Sequence, residues 1–213
     1  LSNEVYGVPN NNMGLNSKKP YLENKSRKSK VPCLLNESEA LLQKKFFDYL
    51  LNLASKGKVN VYINDECIKA FKNDEMIDKD FKGIYLRIKK GKELEIQSYD
   101  LITSYKYLLK NPFKLQNVLE LSDKFIEDDR KKLQSVINNI LFSKYLVNNY
   151  FTEAKDISIK DNTLKKNLII SRDKIFDYIY KGNENGVYEL LNKVSLDLIK
   201  NNIANGYIPK ASH

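Results

Sequence analysis

The feature that most constrains the fold is a change in hydrophobic periodicity part-way along the chain. Between residues 58 and 99, apolar and polar residues alternate, which is typical of half-buried strands. From Leu115 onward, apolar residues recur every three or four positions, which is typical of amphipathic helices. The two patterns in succession predict an α+β fold in which a small antiparallel sheet precedes a C-terminal helical bundle.

A first helix is predicted over residues 38–56. Asn36 and Ser38 are good N-cap residues, and Gly57 suits the position just after a helix. One apolar face runs along this helix and is expected to pack in the core: Leu42, Phe46, Tyr49, Leu50 and Leu53.

Three strands are predicted next. The segment 58–65 reads as a half-buried strand, and 66–80 as a short helix or a loop. The segments 83–90 and 93–99 are predicted to form a hairpin, with Gly91 at the first central position of a type II′ turn. With the first helix, these strands would make a small α+β unit.

The second half of the chain is predicted to be helical, after Pro112 interrupts whatever precedes it. The candidate helices cover residues 114–121, 128–150, 162–181 and 187–204. Their apolar seams contain Leu133, Ile137, Ile140 and Leu141, then Leu164, Leu168, Ile175 and Ile179, then Leu190, Leu191, Val194 and Leu198. Three segments follow from these patterns: an extended basic segment over 1–35, the α+β unit over 36–110 and the helical bundle over 111–213.

The stretch Met13–Pro32, called here the basic segment, carries six cations against one acid. Its cations are Lys18, Lys19, Lys25, Arg27, Lys28 and Lys30. Pro20 and Pro32 oppose helix formation, and Tyr21 lies within the stretch. An extended, lysine-rich segment with one aromatic ring suits a nucleic-acid backbone, although a solvated surface loop has the same composition.

The overall charge also favours a polyanionic partner. The net charge is +9, but only four of the 36 basic residues are arginine: Arg27, Arg87, Arg130 and Arg172. Abundant Lys, Asn and Ile are also what an AT-rich genome produces. Since bidentate recognition of guanine is chiefly the work of arginine, any binding is expected to be directed at the backbone, with little base specificity.

Two further groups are candidates for nucleic-acid contacts. Arg87, Lys89 and Lys90 form a second basic cluster, which the sequence explains better as charge protecting an edge strand. Three other tyrosines could stack on bases if exposed, but a core or half-buried place is favoured for each: Tyr62, Tyr85 and Tyr99.

Catalytic chemistry finds little support in the sequence. The one histidine is the terminal His213, and no phosphate-binding or serine-hydrolase motif is present. Acid clusters at Asp65–Glu66, Asp78/Asp80 and Glu127–Asp129 are explained better as caps and solvated ends than as a metal-nuclease site. We therefore predict no catalytic residue, no metal and no cofactor.

The cysteines and the hydropathy both favour a cytoplasmic protein. Cys33 and Cys67 are expected to be inert thiols in a reducing compartment, with one disulfide as the lesser alternative. No apolar run reaches the roughly 20 residues that a membrane-spanning helix needs, so no membrane is expected among the partners.

One stretch resembles a known family. The run NNNMGLNSKKPYLENKSRKSKVPCLLN, followed by ALLQKKFFDYLLNLASKGKVNVYIND, is similar to the middle of the large subunit of type I-B CRISPR surveillance (Cascade) complexes. The likeness is strongest over residues 10–65. Members of that family often carry paired CxxC zinc ligands, and this sequence has none. The chain begins at Leu1, so we expect it to be a fragment of a longer subunit.

The resemblance implies a non-catalytic subunit that handles DNA in RNA-guided interference. Its implied partners are guide RNA, target DNA, the other subunits of the complex and a helicase-nuclease effector. The contact residues carried over to this chain are Asn16, Lys18, Lys19, Tyr21, Lys25, Arg27, Lys28 and Lys30. Three alternatives remain: an unrelated non-specific nucleic-acid-binding protein, a protein-interaction scaffold, and a metal-dependent nuclease.

Overall fold

The structure is a computed structural model, and it describes residues 5–7, 35–115 and 125–207. The helices within these ranges are α1 (Glu37–Ser55), α2 (Arg130–Val136), α3 (Asn162–Phe176) and α4 (Val187–Ala204). The strands are β1 (Tyr6–Gly7), β2 (Leu35–Asn36), β3 (Asn60–Ile63), β4 (Ile68–Phe71), β5 (Phe81–Lys90), β6 (Leu94–Tyr105), β7 (Leu108–Leu115) and β8 (Phe125–Asp129). The predicted α+β class is confirmed.

The chain divides into two compact units. Unit 1 comprises Leu1–Lys72 and Ile84–Asp100, and unit 2 comprises Asn73–Gly83 and Leu101–His213. The three-segment division made from the sequence stays a prediction. The predicted extended segment falls largely within residues 8–34, outside the described residues.

A four-stranded sheet is built in the order β4-β3-β5-β6. In unit 1 the helix α1 packs on this sheet, and the core of the contact consists of Leu50, Ala54, Val61, Leu86, Ile88 and Leu94. The predicted buried face of α1 was partly wrong. Leu50 is buried as expected, but Leu42 is 69% exposed and Tyr49 is also exposed. The stripe that packs on the sheet includes Phe47 and Ala54 instead.

The strand β3 lies between two neighbours, and this changes its burial. It pairs antiparallel with both β4 and β5. The prediction of a half-buried strand was wrong, because Asn60 and Tyr62 are buried as fully as Val61. The centroid of the Tyr62 ring lies 5.0 Å from that of Tyr85, its cross-strand partner on β5. A central strand with both faces covered carries no simple alternation of polar and apolar residues.

The segment around β5 and β6 also differs from expectation. Residues 66–80, expected to be a short helix or loop, contain the strand β4. The strands β5 and β6 are longer than predicted and are joined by the three residues 91–93. Gly91 does not have a positive φ, so the predicted type II′ turn is wrong. Its N–H donates instead to the Glu93 carbonyl at 3.0 Å.

In unit 2 the last two predicted helices are confirmed. The helix α3 continues through a π-helical turn, Asp177–Lys181, and ends at Gly182, whose φ of 75° is left-handed. A side chain at Gly182 would meet that conformational cost and also approach the Tyr105 ring to 3.3 Å. The helix α4 covers the predicted residues.

In the described part of the chain, no helix combines the length and the apolar character that crossing a membrane requires.

The predicted helix over 128–150 is much shorter in the structure. After α2 comes a π-helical turn, Ile137–Leu141, and the chain then turns at Ser143 and Lys144, which both have positive φ. Asn138 supports this break, since its side-chain oxygen accepts from the Val147 N–H at 3.2 Å. Asparagine side chains compete with helical hydrogen bonds in this way.

The predicted helix over 114–121 is also wrong where the structure describes it. Residues 114 and 115 belong to β7, which pairs antiparallel with β8, and residues 116–121 lie outside the described residues. The register of this ladder shifts between Leu108 and Phe113, the part of the strand that contains Pro112. Proline has no N–H to donate to a ladder, so irregular pairing there is expected.

A buried arginine lies at the centre of unit 2. Arg130, the first residue of α2, is 1% exposed. Its Nε donates to the Lys106 carbonyl at 2.7 Å, and a terminal nitrogen donates to the Tyr178 carbonyl at 2.6 Å. The guanidinium carbon lies 5.3 Å from the Tyr105 ring centroid and 4.9 Å from that of Tyr178. Glu184 completes the cluster at 3.6 Å, so the cation is held by carbonyls, rings and one carboxylate.

Candidate nucleic-acid interface

The predicted contact residues of the basic segment all lie outside the described residues, within 8–34. They are Asn16, Lys18, Lys19, Tyr21, Lys25, Arg27, Lys28 and Lys30. The described residues that flank this range are paired with each other: Gly7 of β1 lies opposite Leu35 of β2. The chain therefore leaves and re-enters the described part of unit 1 at one place, directly before α1.

The N-terminus of α1 is already satisfied by its own side chains. The Asn36 side-chain oxygen accepts from the Glu39 N–H at 2.9 Å, and the Glu39 carboxylate accepts from the Asn36 N–H at 3.0 Å. This capping box confirms Asn36 as the predicted N-cap. With Glu37 also in the first turn, the helix end presents negative charge and is a poor place for a phosphate.

The second basic cluster does not form a surface patch. Arg87 is buried, and it donates to the Asn60 side-chain oxygen at 2.7 Å, which also accepts from the Tyr85 hydroxyl at 2.8 Å. Lys89 pairs with Glu95 at 3.8 Å. The interpretation as edge protection is wrong, because β5 has a neighbour on each side in the sheet.

The tyrosines divide into two groups. Tyr62 and Tyr85 are fully buried, as the sequence favoured, so neither ring is open to a base. Tyr99 is 62% exposed on β6, so the core or half-buried place favoured for it was wrong. Since β6 is an outer strand of the sheet, its side chains have a neighbouring strand on one side only.

Asp80, from one of the three acid clusters, has structural partners. Asp80 accepts from the Lys106 ammonium at 2.5 Å and from the Tyr107 N–H at 3.2 Å, and these two hydrogen bonds, in that order, lower its pKa. Within residues 5–7, 35–115 and 125–207, no group of three or more His, Cys, Asp or Glu is arranged to hold a metal ion. Cys67 is an exposed free thiol, and Cys33 lies outside the described residues.

Asp129 is the N-cap of α2, whereas the sequence predicted a helix that already begins at residue 128 and assigned the acids 127–129 as a group to its start. Its carboxylate accepts from the Lys131 and Lys132 N–H groups at 2.7 and 3.1 Å, and from the Tyr107 hydroxyl. Partial burial opposes ionisation of Asp129, but these hydrogen bonds outweigh it, so its pKa lies below the ordinary value of 3.8. Burial and the bond to Asp129 raise the pKa of Tyr107 to about 12.

This arrangement predicts a pH-dependent effect of Asp129→Asn. Because the folded pKa is depressed, the stability that the ionised carboxylate contributes is present above about pH 4 and is lost as the pH falls through the folded pKa. Asparagine keeps the cap but not the charge, so we expect a loss of about 1 kcal/mol at pH 7 that shrinks below pH 4. Urea unfolding followed by circular dichroism between pH 2.5 and 7 measures both values. A difference that is the same at every pH would contradict this role.

A groove between α3 and α4 was not predicted from the sequence. The two helices pack against each other, and the Asn167 side-chain amide donates to the Asp197 carboxylate at 2.8 Å across the contact. Both residues line a groove of about 290 Å³, which is also bordered by Lys166, Lys193 and Lys200. The signal in the sequence was the seven-residue spacing of Lys193 and Lys200, which places both on one helical face.

The comparisons with known proteins do not identify the chain. No family model, no curated protein and no solved structure matches it.

Proposed function

We propose that this chain is a non-catalytic protein that binds the phosphate backbone of nucleic acids through the basic segment. The observation that carries the proposal is the charge of that segment, six cations against one acid. It is supported by the pairing of Gly7 with Leu35, which attaches both ends of the intervening chain to unit 1. Both of these flanking residues lie within the strands that precede α1.

The chemistry expected of this interface is electrostatic and independent of base sequence. Lysine acts as a point charge on phosphate, and each phosphate it neutralises releases condensed counterions. Arg87 is buried against Asn60, so it adds nothing to a base-reading surface. Tyr21 is the one aromatic residue of the basic segment, and we assign it to stacking on a base.

The resemblance to the large subunit of type I-B CRISPR surveillance complexes extends the proposal. In that setting the chain contacts the backbone of the target DNA while the guide RNA reads its sequence. Its partners are then the guide RNA, the target DNA, neighbouring subunits and a helicase-nuclease effector. The extension rests on the residues of the resemblance alone, and backbone binding does not depend on it.

A competition experiment tests the backbone-binding proposal. A fluorescent 20-nucleotide DNA is bound to the full chain at low salt, and unlabelled DNA and RNA oligonucleotides of unrelated sequence are added as competitors. We expect competitors of the same type and length to agree within about threefold, because phosphate contacts carry no sequence information. If the chain binds none of these oligonucleotides, the proposal is contradicted and the protein-interaction scaffold is favoured.

A further inference from the structure

The groove between α3 and α4 combines unbalanced positive charge with exposed aliphatic surface. Lys166, Lys193 and Lys200 are exposed, and within the described parts of the chain no carboxylate lies within 4 Å of their ammonium groups. Between them, Ile170 is 56% exposed and Leu196 is 53% exposed. These two side chains place exposed aliphatic surface beside the three cations.

We propose that this groove is the docking site for an acidic amphipathic helix of a partner protein. Apolar anchors of such a helix would contact Ile170, Leu190 and Leu196, and its flanking Asp or Glu residues would pair with the three lysines. Asp197 is the one acid among the lining residues and accepts from Asn167; three cations face this one acid, so the rim is net positive. This function is separate from the binding of nucleic acid by the basic segment.

The shape of the groove favours a helix over other ligands. From Leu190 to Lys200 the helix α4 rises about 15 Å, which matches roughly three turns of a partner helix lying along it. Lys193 and Lys200 repeat at the spacing of two helical turns, so they meet acids at positions i and i+7 of such a partner. The volume of about 290 Å³ accommodates inserted side chains.

The lining residues argue against a nucleic acid in the same place. No aromatic side chain and no arginine borders the groove in the described structure, so it offers neither a platform for base stacking nor a bidentate phosphate contact. Val194 and Leu190 form an aliphatic floor. A phosphate placed against this floor would lose part of its hydration without gaining a hydrogen-bond donor there. An amphipathic helix matches both the floor and the rim.

A library selection supplies the helical probes that test the proposal. A phage library of 16-residue helices, randomised on one face and its flanks, is selected against the full chain. It is counter-selected against a groove variant that carries Lys166→Glu, Lys193→Glu and Lys200→Glu. We expect the enriched peptides to carry aliphatic residues at i, i+3 or i+4, and i+7, with Asp or Glu beside them. Enrichment of neutral or basic peptides, or no enrichment, would overturn the proposal.

Charge exchange then tests the site directly. The highest-ranked peptide and a copy with its acids changed to Lys are measured by fluorescence anisotropy. We expect the groove variant to bind the acidic peptide at least about tenfold more weakly than the wild type does. We expect the same variant to bind the Lys copy more tightly than the wild type does. The matched control makes the same change in net charge on exposed residues of unit 2, with the substitutions Lys79→Glu, Lys110→Glu and Lys131→Glu. Its affinities for both peptides should stay within about twofold of those of the wild type.

Two results of this experiment would overturn the docking site. One is an equal loss of acidic-peptide affinity in the groove variant and the control, because the effect would then be net charge alone. The other is that the groove variant retains its affinity for the acidic peptide but binds DNA more weakly than the control does. The groove would then be a nucleic-acid contact. Because DNA binding by the wild type is measured in parallel, failure of this proposal is distinguishable from failure of the proposed function.

Discussion

Replacing Arg130 by methionine is expected to destabilise the protein by about 3–5 kcal/mol. Methionine keeps much of the aliphatic volume but leaves the carbonyls of Lys106 and Tyr178 without their donors. A buried polar group that loses its partner costs about 1–3 kcal/mol, and the contacts with the rings of Tyr105 and Tyr178 are lost as well. The free energy of unfolding in urea, followed by circular dichroism, measures the effect.

The neighbouring residue supplies the control for this prediction. Lys131 follows Arg130 in α2, but its side chain is exposed. Lys131→Met should therefore change the free energy of unfolding by no more than about 0.5 kcal/mol. The stability lost in Arg130→Lys should lie between the losses in Arg130→Met and Lys131→Met, because lysine keeps the charge but lacks the planar guanidinium that reaches two carbonyls. Equal stability of Arg130→Met and Lys131→Met would mean that the arginine cluster is not what holds unit 2 together.

Neutralising the basic segment is expected to weaken nucleic-acid binding by about 100-fold or more at 0.1 M salt. The variant replaces all six cations by Gln: Lys18, Lys19, Lys25, Arg27, Lys28 and Lys30. The size of the effect follows from counterion release, since each phosphate contact adds about 0.7–0.9 to the dependence of log K on log salt. Fluorescence anisotropy with one labelled DNA gives the affinities.

A second sixfold variant separates position from net charge. It replaces six exposed lysines elsewhere in the chain by Gln: Lys45, Lys56, Lys58, Lys79, Lys90 and Lys92. Both variants lower the net charge by the same amount, so a general electrostatic attraction would weaken binding equally in the two. We expect the control to lose less than about tenfold. Equal losses would assign the binding to overall charge rather than to the basic segment.

The sequence predicted local structure well where one face of an element decides its packing. The helices α3 and α4 were found because Leu164, Leu168, Leu191 and Val194 keep a helical period and are buried as that period requires. The cap at Asn36, one of the two N-cap candidates in the sequence, was found because capping depends on residues close in sequence. Such features are decided locally, whatever the rest of the chain does.

The failures arose where distant parts of the chain decide the structure. Tyr62 and Asn60 are buried against side chains of the two strands beside β3, which no local pattern reports: Phe71, Tyr85 and Arg87. Leu42 has the periodicity of a core residue in α1, but it is not among the residues that pack in the core of unit 1, and its side chain is exposed. The break after α2 depends on Asn138, whose side chain bonds a backbone group nine residues away.

The buried arginine and the groove had weaker signals that the sequence does contain. Arg130 is three residues before Leu133 and seven before Ile137, so a helix starting there places the arginine on the buried face. That placement predicts either a partner or a destabilised core, and the structure supplies the carbonyl and carboxylate partners. The groove exists only because α3 and α4 are neighbours, which is a tertiary fact.

The most direct test of backbone binding is the salt dependence of affinity for the wild-type chain and the variant with the neutralised basic segment. Anisotropy titrations between 50 and 300 mM salt give the slope of log K against log salt for each protein, after circular dichroism has established that both are folded. We expect a steep negative slope for the wild type, and a slope about 4–5 shallower for the variant if all six cations contact phosphate. Equal slopes would contradict the account, because the six cations would then release no counterions on binding.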